Sequence, residues 1–193
     1  YAAFLGEARE GLAVDVANAR SRGVLIFSAA GNDQADAKKL GSETYGVTYS
    51  QVKGMFVVGA TDIADPHERQ DSVMAGFSSG LEEDQHSFPK GMEPAGVTAS
   101  SVGVEVPVGP GGTGAYGTSF ASPLVVSVAA LMAKANPHLT VDERESILTR
   151  SARDLPGTRR DGAGEIDAVA AVEAAAARSS QQDLLKQARF GLR

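Results

Sequence analysis

The 193-residue sequence contains no cysteine. This absence excludes a disulfide framework, a thiol nucleophile and any metal site that uses cysteine ligands. It is compatible with a reducing or an oxidising compartment, so cysteine content leaves the localisation open.

The sequence also has no excess of positive charge and no long apolar run. The formal net charge is −6, so no global positive field exists to hold phosphate backbones or anionic lipid. No run of apolar residues approaches the roughly 18 that are needed to cross a bilayer. The residues that follow Tyr1 do not have the basic and then apolar pattern of a signal peptide. We therefore expect no nucleic-acid or membrane partner, and we do not expect Tyr1 to be a translational start.

The first half of the chain has the pattern of an α/β protein. Residues 7–22 carry apolar side chains at helical spacing and end before Gly23, and residues 24–28 follow at once as a short β-branched and aromatic run. A similar run returns at residues 55–60. A helix followed by a strand covered on both faces predicts a parallel sheet. Valines alternate over residues 102–108 as in a strand or ribbon edge.

The second half is predicted to be mainly helical. Residues 119–135 are apolar and rich in alanine, and residues 140–153 are predicted to form a helix that Thr140 caps, with Glu143 three positions later. Residues 166–178 form a further alanine-rich helical stretch, which a charged tail follows.

One motif combines a nucleophile with a helix start. Residues 117–123 read Gly-Thr-Ser-Phe-Ala-Ser-Pro directly before the alanine-rich run. The hydroxyl of Ser119 is thereby expected where helix N-terminal amides point, which is a site for an anion. Taken alone, Ser119 fits an ordinary helix N-cap better than a nucleophile.

A second motif follows the first strand. Residues 29–32 read Ala-Ala-Gly-Asn. Small residues let a substrate backbone approach, and an asparagine amide can donate a hydrogen bond to a developing oxyanion. Taken alone, Asn32 is typical of a turn.

Together these segments resemble the subtilisin-like serine protease (subtilase) family, whose nucleophile motif is Gly-Thr-Ser-x-Ala-x-Pro and whose oxyanion asparagine follows Ala-Ala-Gly. Residues 58–62, 77–80 and 162–172 are similar to the family's next core strand, the segment after it, and its closing turn and last helix. The resemblance implies a three-layer α/β fold, with a parallel central sheet flanked by helices. Residues 1–178 would be its C-terminal portion, with the N-terminal part of the fold absent from this chain, and residues 179–193 a helical or flexible tail.

The resemblance also implies a serine endopeptidase acting on polypeptides. Ser119 would attack the scissile carbonyl, and its backbone N–H and the Asn32 amide would bind the oxyanion. Ala29, Ala30 and Gly31 would form one wall of the substrate pocket, with their backbones pairing with an extended substrate.

The chain offers no evident general base for this serine. None of His67, His86 and His138 lies in a context that resembles the family's His-Gly-Thr helix start. In the subtilisin order, the aspartate and histidine both precede the serine. We therefore expect an N-terminal chain or segment to supply them, and the chain alone to be inactive.

No cofactor or metal site is predicted. Calcium is compatible with the resemblance, but the acidic residues show no recognisable ligand spacing. The resemblance slightly favours a secreted or periplasmic location, which the sequence leaves undecided.

Two alternatives stay open at this point. One is a catalytically inactive pseudoprotease scaffold that binds a partner protein. The other is an esterase with a Gly-x-Ser-x-Gly elbow, but Ala121 stands where the second glycine belongs.

Overall fold

The computed structural model describes residues 2–32, 52–63, 72–75, 77–78, 97–100, 104–106, 113–155 and 163–190. Predictions for residues 33–51, 81–96 and 179–193 therefore fall wholly or partly outside them. The elements in chain order are α1 (Ala2–Ser21), β1 (Phe27–Ala29), β2 (Phe56–Ile63), β3 (Ser72–Met74), β4 (Val97–Ser100), β5 (Val104–Val106), β6 (Thr113–Ala115), α2 (Thr118–Ala135), α3 (Val141–Arg150) and α4 (Ala168–Phe190).

Strand β2 is the centre of the main sheet. It pairs in parallel with β1, with Phe27 opposite Phe56, and in parallel with β4, with Val58 opposite Val97. The short strand β3 runs antiparallel to the end of β2. The α/β fold class predicted from the sequence, a parallel sheet flanked by helices, is confirmed.

A separate two-stranded ribbon precedes α2. Strands β5 and β6 pair antiparallel, with Val104 opposite Ala115 and Val106 opposite Thr113. The ribbon strand predicted from the alternating valines is therefore confirmed at Val104–Val106. Strand β4 escaped sequence analysis because its Val-Thr-Ala-Ser run is short and only weakly apolar.

Helix α2 packs its buried side against one face of the sheet. Its buried apolar residues recur every three or four positions, as one helical stripe requires. This stripe packs with side chains from β2 and β4 and with Ala171 and Ala175 of α4 in one core. The stripe consists of Ala121, Val125, Val128, Ala129 and Met132. Each large side chain buried there contributes about 1.5–3 kcal/mol.

The expectation that no segment could cross a membrane needs a correction for α2. Its 18 residues are long and apolar enough to do so by length and composition. Ser122 and Ser127 interrupt the apolar run inside the helix, which is why counting consecutive apolar residues missed it. Because its buried stripe contacts the sheet, α2 is explained as the core helix of this domain.

Helix α1 ends in a Schellman motif. The N–H of Val24 donates to the carbonyl of Ala19 (3.1 Å) and that of Gly23 to the carbonyl of Arg20 (2.9 Å), while Gly23 has a φ of 82°. Glycine adopts this left-handed conformation at no steric cost. The predicted end before Gly23 is confirmed, although the helix begins earlier than predicted, at Ala2.

Strand β1 is less covered than its sequence predicts. Ser28 is buried, but Phe27 and Ala29 are only half-buried. Among the described residues, β2 is the only strand that pairs with β1. The other edge of β1 therefore has no described strand beside it.

The predicted capping box opens α3. The hydroxyl of Thr140 accepts from the N–H of Glu143 (3.2 Å), and the Glu143 carboxylate accepts from the N–H of Thr140 (2.9 Å). The helix ends at Arg150, three residues before the predicted end, because Arg153 forms an antiparallel bridge with Glu165. Helix α4 extends to Phe190, so its backbone continues past the predicted boundary at residue 178. The assignment of the tail as a separate unit stays a prediction.

Candidate active site

The two sequence motifs meet at the end of the sheet where β1 stops. Asn32 follows β1 by three residues, and α2 begins at Thr118, directly before Ser119. The carboxamide oxygen of Asn32 lies 2.9 Å from the backbone nitrogen of Thr118 and 3.0 Å from its hydroxyl. The structure therefore brings Asn32 into direct contact with the residue beside Ser119, although the two motifs are far apart in sequence.

A third hydrogen bond closes this contact. The backbone N–H of Gly31 donates to the hydroxyl of Thr118 (3.2 Å). Thr118 is fully buried, whereas Asn32 and Ser119 are both exposed. The buried threonine thus connects the end of β1 to the start of α2.

The first turn of α2 leaves one amide available. Asn32 accepts from the amide of Thr118, and the carbonyl of Gly117 accepts from the amides of Phe120 (2.9 Å) and Ala121 (3.4 Å). Among the described residues, no acceptor contacts the N–H of Ser119. This N–H lies at a helix N-terminus, where the helix dipole also favours negative charge.

Gly117 allows the close approach of Asn32. Its φ is 142°, a conformation that glycine adopts far more easily than other residues. A Cβ at this position would lie 3.3 Å from the Asn32 side-chain nitrogen. The glycine of the motif is therefore needed for its backbone conformation and for the space it leaves to Asn32.

Ala29, Ala30 and Gly31, which the resemblance predicts as the pocket wall, lie at the end of β1 and directly after it. Ala29 is the last residue of that strand and Ala30 is buried. The N–H of Ala30 donates to the carbonyl of Val58 (2.9 Å), and that of Gly31 donates to Thr118. Since protein acceptors occupy both amides, an extended substrate could not pair with these two donors.

No histidine approaches Ser119 within the part of the chain that the structure describes. His138 is the one described histidine; it is exposed and follows the C-terminal end of α2. Because α2 has 18 residues, its two ends are about 27 Å apart. His67 and His86 lie outside the described residues. His138 is therefore too far away to act as a base for Ser119.

The outward side of α2 carries several exposed apolar residues, together with Ser127 and Lys134. Val126 lies two turns beyond Ser119 on the same side, since residues seven apart in a helix share a face. Val126 is 42% exposed, Leu124 is 44% exposed and Leu131 is 52% exposed. Pro123 and Ala130 are also exposed. We call these five residues the outer face of α2.

Sequence analysis did not assign Thr118 a separate function. The signal for Thr118 in the sequence was its position inside the motif, between Gly117 and Ser119. No local sequence pattern predicts its contact with Asn32. Tyr116 is a second such residue. Its exposed ring stacks at a tilt on Phe77, with the ring centroids 5.5 Å apart, and so connects the segment before Gly117 to residues 77–78.

Comparison with known proteins supports the resemblance seen in the motifs. The model of the subtilase family matches residues 5–179. M-protease of Shouchella clausii strain KSM-K16 is 34% identical over 158 residues, which are 81% of this chain and 34% of that protein. Subtilisin Savinase of Lederbergia lenta is 33% identical over 158 residues, or 81% of this chain and 49% of that protein. The chain thus spans between about a third and a half of these curated relatives.

Solved structures show a similar fold. The self-cleaved protease domain of PatA is 24% identical with a TM-score of 0.55, and the match covers 85% of this chain and 54% of that chain. A mutant of the same protease domain is 23% identical with the same TM-score. At this identity the likeness shows the fold alone, which is the subtilisin-like arrangement expected from the sequence.

Proposed function

The chain belongs to the subtilase family, and on that basis we propose that it provides the nucleophile and the oxyanion-hole donors of a serine endopeptidase. The observation that carries the proposal is the contact between the Asn32 carboxamide oxygen and Thr118. This contact leaves the Asn32 side-chain nitrogen and the N–H of Ser119 as donors at the start of α2 that no acceptor among the described residues engages.

The proposed reaction follows the acyl-transfer scheme of serine proteases. A histidine base takes the proton of the Ser119 hydroxyl as the oxygen attacks the scissile carbonyl carbon, and the carbonyl oxygen becomes an oxyanion. The tetrahedral intermediate collapses to an acyl-enzyme when the histidine returns the proton to the leaving amine. A water molecule then repeats the sequence and releases the acid.

The two donors stabilise the charge that develops in this reaction. The N–H of Ser119 and the Asn32 side-chain amide donate to the oxyanion, and the positive end of the α2 dipole adds to the effect. In subtilisin, a member of this family, loss of one such donor lowers kcat about 10²–10³-fold. That size is carried over to Asn32 from subtilisin.

The pocket wall is proposed at Ala29, Ala30 and Gly31. Their small side chains leave room for the substrate residue before the scissile bond. Since the amides of Ala30 and Gly31 are bonded within the protein, main-chain pairing with the substrate would use the carbonyl groups of this segment. No cofactor or metal takes part in the proposed reaction.

We propose that the aspartate and histidine come from an N-terminal segment or chain of the same protease, packed on the outer face of α2. This face lies beyond Ser119 on the exposed side of α2 and consists of five apolar residues, and exposed apolar patches mark interaction sites. A histidine that reaches Ser119 must come from an element beside this face. The edge of β1 that has no described strand beside it, next to Asn32, offers a second contact for the same partner.

Labelling with a fluorophosphonate tests the proposal. We expect the isolated 193-residue chain to remain unlabelled and the same chain, purified by an affinity tag from the cells that make it naturally, to be labelled at Ser119. A Ser119→Ala variant is the control and should take up no label in either preparation. Labelling of the isolated chain would contradict the need for a partner.

The alternative is a pseudoprotease scaffold that binds a partner protein without turnover. The absence of a base near Ser119 among the described residues favours it. If the naturally assembled protein binds a partner but Ser119 takes up no label, the scaffold function is correct and the protease function is wrong.

A further inference from the structure

A cleft of about 390 Å³ lies between α2, β4 and the start of α4. Leu124, Val128 and Leu131 line it from α2, and their spacing of four and three residues puts them in one stripe of the helix. Val128 is 7% exposed, whereas Leu124 is 44% and Leu131 is 52% exposed. The middle of this stripe is therefore packed and its two ends are open. Both open residues belong to the outer face of α2.

Most of the charge in the cleft is already neutralised within the chain. The Glu165 carboxylate accepts from the Thr61 hydroxyl (2.8 Å) and from Arg153. Asp167 differs, because no cation among the described residues pairs with it. One of its oxygens accepts from the N–H of Ala170 (2.9 Å) in the first turn of α4. The cleft thus combines an apolar wall with one carboxylate that a cation from outside can reach.

The surroundings of the cleft favour a polypeptide as its occupant. A small molecule would fill the cleft but would leave the other three residues of the outer face, Pro123, Val126 and Ala130, in water. The C-terminal end of this chain does not reach the cleft. Helix α4 begins beside it and has 23 residues, so its last turn is about 33 Å away. Only three residues follow Phe190, and they span at most about 11 Å.

We propose that the partner polypeptide that packs on the outer face of α2 inserts a large aliphatic or aromatic side chain into this cleft and places a lysine or arginine beside Asp167. Apolar anchors in pockets carry most of the affinity of an interface, and charges at its edge add specificity. The inference deepens the proposed function, because it names the chemistry of the partner, and it rests on the docking of that partner on α2.

Photo-crosslinking in the complete, naturally assembled protein tests the inference. p-Benzoylphenylalanine in place of Leu131 puts an apolar reactive group at the rim of the cleft. We expect mass spectrometry to place the crosslinked peptide outside residues 1–193 and to find in it a large apolar residue next to a lysine or arginine. A crosslink to a peptide within residues 1–193, or to no polypeptide, would overturn the inference.

A pair of neighbouring substitutions tests the apolar anchor. Ala168 is exposed and lines the cleft, so Ala168→Phe fills the space and should lower the crosslinking yield more than about 10-fold. Val169→Phe is the matched control, because Val169 is 68% exposed and lies outside the lining of the cleft. Its yield should equal that of the parent protein. Equal yields from the two variants would overturn the insertion of an anchor.

A third substitution tests the charge. Asp167→Asn keeps a side-chain oxygen that can cap α4 and removes the negative charge. It should lower the crosslinking yield about 2- to 5-fold at low salt and less at high salt, as expected for a partly exposed ion pair. An unchanged yield at low salt would overturn the pairing of Asp167 with a cation.

Fluorophosphonate labelling of the same samples separates this inference from the proposed function. If Ser119 is labelled but the cleft crosslinks to nothing outside this chain, the inference fails and the protease function holds. If the crosslinked peptide has the expected chemistry but Ser119 takes up no label, the inference holds and the protease function fails.

Discussion

The guanidinium of Arg20, near the end of α1, donates to both carboxylate oxygens of Glu145 on α3, 125 residues further along the chain. The same guanidinium donates to the carbonyl of Gly54 (3.0 Å) and to the Asp142 carboxylate (2.9 Å). Arg20 therefore joins α1, α3 and the segment directly before β2. This contact lies at the end of the sheet where β1 and β2 begin, opposite the end that carries the candidate active site. The hydrogen bonds to Glu145 raise the pKa of this guanidinium above its usual value.

We predict that Arg20→Gln destabilises the folded chain by about 1.5–3 kcal/mol, the range for hydrogen bonds to charged groups. The reason is that Glu145, which is only 25% exposed, loses its cation. Urea unfolding measures the change. Arg22→Gln is the matched control, because Arg22 is exposed in the turn after α1, and it should stay within about 0.5 kcal/mol. Equal effects of the two substitutions would contradict the role of Arg20.

The contrast between Arg20 and Thr140 shows which features the sequence could predict. Thr140 and Glu143 are three residues apart, so the geometry of one helical turn sets their contact and a local pattern predicts it. Gly23 likewise marks the end of α1 locally. Arg20 and Glu145 meet only because the whole fold brings α1 next to α3, and no local pattern carries that information.

The candidate site falls between these two cases. The motifs predicted Ser119 and Asn32 as functional residues, and the resemblance predicted that they lie close together. The direction of the Asn32 carboxamide depends on Gly31 and Thr118, whose contacts join two distant segments. Such contacts depend on the packing of β1 against α2, so residue types and their spacing alone could not predict them.

A pH dependence follows from the capping box of α3. Hydrogen bonds from Thr140, first from its backbone N–H, and the nearby Arg178 lower the pKa of Glu143. A carboxylate whose folded-state pKa lies below the unfolded value of about 4.3 stabilises the protein above that value. The contribution disappears as the pH falls through the folded-state pKa.

We predict that Glu143→Gln lowers stability at pH 7 by about 0.3–1 kcal/mol and that the difference from wild type shrinks as the pH falls below the unfolded-state pKa of about 4.3. Glutamine keeps an acceptor for Thr140 but loses the favourable charge at the helix N-terminus. Thermal unfolding between pH 3 and pH 7 measures both. Glu173→Gln, at an exposed position of α4, should leave the pH profile unchanged. A difference that stays the same from pH 7 to pH 3 would contradict the role of the charge.

Two glycines offer a paired test of the geometry around Asn32. A Cβ on Gly117 meets the Asn32 amide at 3.3 Å and its backbone has a φ of 142°, whereas a Cβ on Gly11 in α1 meets nothing within 4 Å. Gly117→Ala should cost about 1–3 kcal/mol and displace Asn32. Gly11→Ala should instead stabilise the chain by about 0.5–1 kcal/mol. Urea unfolding reports both, and a neutral Gly117→Ala would show that Asn32 does not pack against this backbone.

A buried polar network holds the closing turn against β2. The Thr61 hydroxyl, which is fully buried, donates to the Glu165 carboxylate (2.8 Å), whose other oxygen accepts from Arg153. Glu165→Ala should cost about 1–3 kcal/mol, because it leaves a buried hydroxyl without its acceptor. In a Thr61→Val background the same substitution should cost clearly less. Additive losses in urea unfolding would mean that the two side chains do not interact.

The last prediction concerns the outer face of α2 and the partner that it is proposed to bind. Val126 lies two turns from Ser119 and contributes little to the core of the chain itself, since it is 42% exposed. Val126→Glu should therefore change the stability of the isolated chain by no more than about 0.5 kcal/mol, while a buried charge at the interface prevents assembly.

The measurement is fluorophosphonate labelling of Ser119 in tagged chain purified from its natural cells, with size-exclusion chromatography of the same samples. Val14→Glu on α1 is the matched control, because Val14 is also an exposed helical valine, and it should be labelled like the wild type. If Val126→Glu assembles and labels normally, the partner does not dock on this face, and the missing histidine must reach Ser119 from another direction.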